Sequence, residues 1–250
     1  MEIREATESD VDAIRSIAHN SLSSTYTDFL DEETIDDAID QWYGDAFVDD
    51  LDDDHALIMV VERDGEVVGF SQSELVGQRY DTGQLLWLHI DPDQRGGGTG
   101  VRLLVRTREK LLEESADHVQ CFVLEDNEGG NEFYADHGFE QAGQREVEIG
   151  DETFTENVYV ESEIESGDEW NAIDELEVDD ETIYVSYGEA ARGSKAPFYG
   201  AYETEEQSSR YGWLCGHCDS IDNAMDSMGR IECNACGNRR KATRWDASYL

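Results

Sequence analysis

Residues 91–112 read DPDQRGGGTGVRLLVRTREKLL, and this stretch decides the fold. Four glycines fall within five positions, at Gly96, Gly97, Gly98 and Gly100, and a helical repeat of apolar residues follows them. Five of the residues from 94 to 112 are cations and only one is an anion. Bare backbone N–H groups at the start of a helix, with cations beside them, are typical of a phosphate-binding site.

The composition makes those cations exceptional. The chain has 250 residues, 60 acidic and 18 basic side chains, and a formal net charge of −42. Such an acidic excess, with Arg preferred to Lys, resembles proteins of salt-loving archaea, so we interpret the chain as halophilic and archaeal. Disorder is the alternative, but aromatic residues at 10% and regular apolar periodicity disfavour it. Because molar salt shortens the Debye length to about 3 Å, we expect high salt to relieve the self-repulsion and keep the protein folded.

The hydropathy and the first residues of the chain also indicate the cellular location of the protein. No run of about 18 apolar residues is present, so we predict no membrane span. The first residues, MEIREA, lack the basic and apolar regions of a signal peptide, which predicts a cytoplasmic protein. The acidic run 49–54 lacks the spaced ligands and the glycine of a calcium loop, so we interpret it as a solvated loop.

Apolar periodicity predicts a sheet domain followed by a different module. Strands are predicted at 3–6, 56–62, 67–75, 85–90, 119–124, 144–149 and 154–160, and helices at about 10–18, 35–42, 101–112 and 132–137. The predicted class is α/β (α+β), with a mixed central sheet flanked by helices and a small C-terminal β module. We predict a sheet domain at 1–162, an acidic connecting segment with possible strands at 163–210, and a separate module at 211–250.

Two familiar phosphate loops do not fit the glycine run. The Walker pattern requires Lys and then Ser or Thr after its last glycine, whereas Val101-Arg102 follows Gly100. The dinucleotide pattern G-x-G-x-x-G also fails, because its third glycine position holds Val101 or Leu103. The pattern that remains is Arg95-x-x-Gly98-x-Gly100, preceded by LHIDP.

This pattern resembles motif A of the GCN5-related N-acetyltransferase (GNAT) superfamily. The resemblance extends to a second motif, which in this chain is Asn127, Phe133-Tyr134 and Gly138-Phe139. The two motifs and the order of elements cover about residues 1–160. The resemblance implies a GNAT-like fold that binds acetyl-coenzyme A, with loop amides on the pyrophosphate and Arg102 or Arg106 as short-range clamps.

The resemblance also implies the residues of the cofactor site and their roles. It assigns cofactor binding to His89, Ile90, Arg95, Gly96, Gly97, Gly98, Thr99, Gly100, Val101, Asn127 and Tyr134. A backbone N–H near Ile90 is expected to polarise the thioester carbonyl. Tyr134 is the expected general acid for the leaving thiolate, since a reference pKa of about 10 lies near that of a thiol, about 8.5. Asn127 is expected to bond the pantetheine arm or a water.

The general base is a less direct prediction. Some members of the family have a carboxylate at the start of the central strand, where this chain has Gln84. Glu74 and His89 are the polar alternatives on neighbouring strands, and we choose Glu74. Cys121 is predicted to be a core residue. Because no cysteine lies in the motifs, we expect direct transfer in a ternary complex without a covalent intermediate.

The C-terminal cysteines predict a metal site. Cys215, Cys218, Cys233 and Cys236 form C-x2-C…C-x2-C with fourteen residues between the pairs, which suits tetrahedral zinc. Two disulfides are the alternative, which a reducing cytoplasm disfavours. His217 is a possible substitute ligand. Four filled positions predict a structural zinc ribbon, with flanking strands near 213–214 and 243–245.

The predicted function is N-acetyl transfer from acetyl-coenzyme A to a primary amine on a small molecule or a protein. A non-catalytic acyl-coenzyme A-binding protein, with the ribbon as its partner-binding end, is the main alternative. A modifier associated with nucleic acid is a third, because the ribbon's cations could contact RNA or an acidic partner. Those cations could equally offset the zinc tetrathiolate, and we favour that interpretation. They are Arg239, Arg240, Lys241 and Arg244.

Overall fold

The protein is seen here as a computed structural model, which describes residues 1–26, 31–44, 46–77, 82–149, 152–161, 172–179, 181–225 and 230–240. The chain divides into two compact units. One is Ile3–Trp170, and the other is Asn171–Leu250 together with Met1–Glu2. No helix in the described ranges is long and apolar enough to cross a membrane.

Helices and a seven-stranded sheet build the first unit. Its helices are α1 (Val11–Tyr26), α2 (Glu32–Trp42), α3 (Phe47–Asp50), α4 (Thr99–Glu113) and α5 (Glu128–Asp136). Its strands are β1 (Glu2–Glu5), β2 (Ala56–Arg63), β3 (Glu66–Val76), β4 (Thr82–Ile90), β5 (His118–Leu124), β6 (Phe139–Ile149) and β7 (Glu152–Glu161). The sheet order is β1-β2-β3-β4-β5-β7-β6, and the predicted mixed sheet flanked by helices is confirmed.

The two faces of this sheet are covered by different helices. Phe70 of β3 packs in a cluster with residues of α1 and α2, among them Ile14, Ile35 and Tyr43. The next residue, Ser71, points to the other face, where its hydroxyl lies 2.6 Å from that of Thr107 on α4. Burying a leucine stabilises the fold by about 2 kcal/mol, and α4 buries several apolar side chains completely, so both helical layers hold the sheet firmly.

The pairing between β4 and β5 positions the site. These strands are parallel and pair only from Thr82↔His118 to Leu85↔Cys121. β4 continues to Ile90 and β5 to Leu124, so the two strands separate beyond the last paired residues. We call the space between them the β4–β5 gap.

Several element boundaries differ from those predicted, for local reasons. The helix predicted at 132–137 begins earlier, because Asn127 Oδ1 accepts the N–H of Gly130 at 2.9 Å and caps a first turn that contains two glycines. β6 begins at Phe139 instead of 144, because most of its first residues are exposed at the sheet edge and show no apolar alternation. The start of the acidic run 49–54 lies in α3.

The second unit consists of two small sheets. The first contains β8 (Ile173–Val178), β9 (Glu181–Ala191), β10 (Phe198–Tyr202) and β11 (Arg210–Cys215), in the order β11-β10-β9-β8. The second contains β12 (Asn223–Met225), β13 (Ile231–Cys233) and β14 (Arg239–Arg240). Part of the segment predicted as a connection is therefore a sheet with a buried core. The predicted strand at 243–245, Lys241 and Arg244 lie outside the described residues.

A buried ion pair fixes the start of the first unit. Both carboxylate oxygens of Asp10 accept from the Arg4 guanidinium, at 2.8 and 2.9 Å, and the N–H of Thr7 donates to one of them at 2.8 Å. Arg4 also pairs with Glu62 on β2 at 3.0 Å. The bond from Arg4 holds the pKa of Asp10 at about 2, and the carboxyl is only 4% exposed.

We predict that Asp10→Asn destabilises the protein in a pH-dependent way. Because the folded pKa is depressed, the stabilisation is complete above the unfolded value of 3.8 and is lost as the pH falls through about 2. The difference in free energy of unfolding between wild type and variant should be about 2 kcal/mol near pH 7 and should shrink toward pH 2. Denaturant titrations in high salt measure it. Asp12→Asn, the same charge change at an exposed site on α1, should have little effect.

Candidate functional site

The glycine loop has a conformation that few other residues adopt. Gly96, Gly97 and Gly98 have φ values of 91°, 61° and 71°, in the left-handed region that favours glycine. Gly98 is the N-cap of α4 and provides no capping side chain. The first intrahelical bond runs from Arg102 N–H to Gly98 O at 3.0 Å. The N–H groups of the three preceding helical residues therefore lack intrahelical acceptors and are available to an anion.

Two arginine side chains, Arg102 and Arg63, bond to the glycine loop or to the residues beside it. Arg102 is only 8% exposed, and its guanidinium donates to the carbonyls of Gly97 and Gly98. Arg63, at the end of β2, donates to Gln94 Oε1 at 3.2 Å and to Thr99 Oγ1 at 2.8 Å. The Arg102 bonds hold two carbonyls of the loop, and the Arg63 bonds hold side chains on either side of the three glycines at 96–98. No local sequence pattern indicates the role of Arg63, because its contact with the loop depends on the fold.

The remaining cations near the loop also have partners in the protein. Arg95 donates to Ile90 O at 3.4 Å, to Ser21 Oγ at 3.2 Å and to Thr25 Oγ1 at 3.4 Å, so its side chain turns toward α1. Arg106 is paired with Glu109 on the same helix. Arg102 therefore holds the loop, and Arg106 is bonded to Glu109. Both side chains are engaged within the protein, whereas the prediction used them as short-range clamps on the cofactor.

The backbone of Ile90 faces the β4–β5 gap. The N–H of Asp91 donates to Val68 O on β3 at 2.9 Å. Since successive N–H groups of a strand point to opposite sides, the N–H of Ile90 points away from β3. Pairing with β5 has already ended at Leu85. The structure thus directs this predicted oxyanion donor into the gap.

Tyr134 lies on the α5 side of the same gap. Its hydroxyl is hydrogen-bonded to the thiol of Cys121, the last β5 residue that pairs with β4. Burial raises the pKa of Tyr134 well above 10, so the hydroxyl stays protonated and can donate. Burial likewise raises the pKa of the fully buried Cys121 thiol, which argues against its use as a nucleophile.

The side chain of Asn127 is already engaged in the protein. Its oxygen caps α5, and its Nδ2 donates to the hydroxyl of Tyr26 at 2.9 Å. Burial raises the pKa of Tyr26 to about 12. Asn127 therefore joins α5 to the end of α1 at the rim of the gap, a contact that its sequence motif alone does not indicate.

His89 is buried on the other side of the sheet. Its ring stacks on Trp87 with centroids 5.3 Å apart, and its Nδ1 lies 2.9 Å from Ser21 Oγ. Burial lowers its pKa to about 3, so the imidazole is neutral and a weak base at physiological pH.

Glu74 is not brought near Ile90 or the glycine loop. The register of β3 and β4 sets Glu74 opposite Gln84, at the far end of the central strand. Six residues of strand, about 20 Å, separate that position from Ile90. The antiparallel register decides this separation, and a single sequence does not reveal register.

A cavity with apolar walls lies on the α1–α2 side of the gap. Leu124 of β5 and Trp87 of β4 border it, with Tyr26, Trp42 and Ile149 among the other walls. Trp42 and Trp87 contact each other with ring centroids 5.0 Å apart. Cys121 and Tyr134 lie on the opposite face, since odd and even residues of β5 alternate. The gap therefore has one face beside the glycine loop and Tyr134 and another beside this cavity.

The four C-terminal cysteines converge. Their sulfur atoms all lie within 4.8 Å of one another, and two of the separations are 3.7 Å (Cys215–Cys236) and 3.5 Å (Cys218–Cys233). A zinc tetrahedron with bonds of about 2.3 Å has sulfur–sulfur edges of about 3.8 Å. A disulfide needs about 2.05 Å, and all four thiols are free. The geometry fits a metal and not the disulfide alternative.

Hydrogen-bond donors surround these sulfur atoms. Backbone N–H groups of His217, Ser220 and Ala235 bond to the sulfurs of Cys215, Cys218 and Cys233 respectively. Gly237, at φ 69°, closes the second knuckle. Such donors stabilise thiolate charge, which a metal-binding cysteine requires.

Comparison with known families agrees with the division into units. Residues 16–139 match the acetyltransferase (GNAT) family. Residues 179–250 match a family of unknown function, DUF5816. The match to the GNAT family therefore lies wholly within the first unit.

Solved structures show the same fold. One is the PaiA N-acetyltransferase from Thermoplasma acidophilum in complex with coenzyme A, with 21% identity, a TM-score of 0.53, and coverage of 62% of this chain and 96% of that chain. Another, named a GCN5-related N-acetyltransferase and class-II aminotransferase, comes from Rhodopseudomonas palustris. It has 18% identity, a TM-score of 0.52, and coverage of 64% of this chain and 94% of that chain. The first unit has the GNAT fold.

Proposed function

We propose that the protein is an N-acetyltransferase that moves an acetyl group from acetyl-coenzyme A to a primary amine. One observation carries the proposal: the N–H groups of the glycine loop, the N–H of Ile90 and the hydroxyl of Tyr134 border one gap in the sheet. The coenzyme A in the PaiA structure of the same fold is consistent with it.

The loop and the gap suit different parts of the cofactor. The pyrophosphate would accept hydrogen bonds from the amides between Arg95 and Val101. The pantetheine arm contains two amides, which can pair with the strand edges that β4 and β5 no longer offer to each other. This arrangement would carry the thioester along β4 toward Cys121 and Tyr134.

Transfer would proceed directly between the two substrates. The neutral amine attacks the thioester carbon, a backbone N–H of β4 that faces the gap stabilises the developing oxyanion, and Tyr134 protonates the departing thiolate. The proton that the amine nitrogen then loses passes through solvent and restores the Tyr134 hydroxyl. In the structure Tyr134 already donates to a sulfur atom, that of Cys121. Cys121 is 0% exposed and stays a thiol, so an acyl-cysteine intermediate is disfavoured.

The acceptor would approach from the α1–α2 side. The apolar cavity there has a volume of only about 10 Å³, enough for one water molecule, so its walls set no preference for the acceptor. Glu156 shares this face, because it pairs with Leu124 across the β5–β7 register. Its carboxylate is 8% exposed and is bonded to Arg145 at 2.7 Å. Glu156 is better situated than Glu74 to attract the ammonium group.

Coenzyme A binding should depend on the loop glycines more than on Arg106. Gly98→Val should abolish binding, because a β-branched residue is strained at φ 71° and blocks the neighbouring N–H groups. Arg106→Gln should only weaken binding, since that guanidinium is paired with Glu109. Calorimetric titration with coenzyme A in high salt measures both. Gly143→Val on the sheet edge is the control, and wild-type affinity in Gly98→Val would contradict the proposed loop.

Tyr134→Phe should separate catalysis from binding. Removing the hydroxyl should lower kcat by about 10²- to 10⁴-fold while coenzyme A affinity changes little. Acetylation assays on arylalkylamines, polyamines, aminoglycosides, lysine peptides and peptide N-termini provide the readout. Tyr159→Phe, which removes a nearby hydroxyl bonded to Asn131, is the matched control. If wild type binds coenzyme A but acetylates no amine, the non-catalytic alternative is correct.

We further propose that the four cysteines hold a structural zinc ion. Four sulfur ligands would fill its tetrahedron and leave no open position for catalysis. Free thiols suit the reducing cytoplasm that the sequence predicts. A partner-binding role for the nearby cations has less support, because Arg239 is paired with Glu232 and Arg240 lies over the Trp213 ring.

Metal analysis should find one zinc per chain. With zinc bound, alkylating reagents should label none of the five cysteines, and a chelator should expose the four ligand thiols only. Cys121 should remain unlabelled in the native protein, because it is fully buried and its pKa is raised. Mass spectrometry of the labelled peptides measures this, and a chelator-independent labelling pattern would contradict the site.

A further inference from the structure

Asn238 is a fully buried polar residue beside the cysteine cluster. It is 0% exposed, and it lies immediately before β14, five residues after Cys233. Its Nδ2 donates to Cys215 Sγ at 3.4 Å and to Ala196 O at 2.8 Å. Its Oδ1 accepts from the N–H of Lys195 at 2.9 Å and from Ser194 Oγ at 3.3 Å. Both the nitrogen and the oxygen of the amide therefore have hydrogen-bond partners, so its burial leaves no polar atom unsatisfied.

The partners of Asn238 belong to different parts of the unit. Residues 194–196 form the connection between β9 and β10 of the four-stranded sheet. Cys215 ends β11 of that sheet, whereas Cys233 ends β13 of the three-stranded sheet. One amide side chain thus contacts a sulfur atom and the connecting loop at the same time.

The connecting loop is closely fitted to this amide. A Cβ atom on Gly193 would lie 2.6 Å from Asn238 Oδ1 and 2.1 Å from Ala196 O, so only glycine fits there. The Lys195 ammonium donates to Cys236 O, and Gly216 N–H donates to Pro197 O at 2.9 Å. The loop is therefore bound to both knuckles.

The same two sheets share one apolar cluster around the cysteines. Ala191 and Phe198 of the larger sheet pack with Ile231 of the smaller sheet, and Cys215 and Cys233 lie within this cluster. The cluster is small, so its burial alone stabilises the junction only modestly. A metal bonded to cysteines of both sheets would add a far stronger connection.

We propose that Asn238 is the outer-sphere residue that positions Cys215 for the metal, and that through this contact the metal joins the two sheets into one folding unit. The proposal rests on the zinc site proposed above. A neutral amide suits the position, because it can donate to a thiolate and accept from Lys195 N–H without adding charge. A carboxylate of the same shape could not donate and would repel the sulfur.

Asn238→Asp in the full chain tests the positioning role. Competition with a chromophoric chelator should show zinc affinity lowered by about 10- to 100-fold relative to wild type. Cobalt substituted for zinc should show its thiolate-to-metal absorption at longer wavelength, because a sulfur that has lost a hydrogen bond is more easily oxidised. This spectral shift distinguishes a donor to sulfur from a residue that only supports the fold.

Asn234→Asp is the matched control, since it adds the same charge within the same knuckle at an exposed side chain. Wild-type affinity and an unshifted cobalt spectrum in Asn238→Asp would overturn the positioning role, as would equal losses in both variants. Failure of the wild-type chain to bind zinc would instead refute the zinc site itself, so the two failures are distinguishable.

Hydrogen exchange on wild-type protein tests the joining of the sheets without any variant. Removal of zinc should increase exchange in β9 and β10 as well as in the knuckles, because the loop between those strands depends on Asn238. Increased exchange confined to residues 215–240 would overturn this part of the proposal.

Discussion

The separation of β4 from β5 beyond Leu85 and Cys121 is the constraint on which the site depends. A strand edge inside a sheet normally has its backbone groups paired, so a gap there must be held open by what surrounds it. Here α4 and α5 lie on one face, and α1 and α2 on the other. Asn127 links α5 to Tyr26 of α1 across the rim. The gap is consequently flanked by helices on both faces and has different surroundings on each.

Four of the chain's 18 basic side chains hold this framework. Arg63, Arg95 and Arg102 are all bonded to the glycine loop or to residues next to it, and Arg4 fixes the first strand to β2. Recognition of an anion then falls mainly to backbone N–H groups. Hydrogen bonds of this kind act at contact distance, where salt screening is weak. A chain with a charge of −42 can therefore bind an anionic cofactor without a basic surface around the site.

Local patterns in the sequence predicted the parts of the site that are local in structure. The glycine loop with α4, the second motif with α5 and the paired cysteines each occupy one short segment. Contacts between distant segments were not predictable in this way. Arg63 is 36 residues from Thr99, and Cys121 meets Tyr134 only because β5 packs under α5. Glu74 illustrates the same limit, because the strand register that removes it from Ile90 is set by pairing along the whole of β3 and β4.

The two candidate sites follow one physical scheme. In the proposed function, each would direct backbone N–H groups toward negative charge, a phosphate in one case and thiolate sulfur in the other. In each, a buried side chain next to the site keeps the backbone in position: Arg102 bonds the carbonyls of the glycine loop, and Asn238 bonds Cys215 Sγ and the loop between β9 and β10. Glycine is needed where the backbone turns through positive φ, at Gly96 to Gly98 and at Gly237. Backbone donors have fixed direction only when the chain around them is rigid, so these buried side-chain bonds are as necessary to each site as the donors themselves.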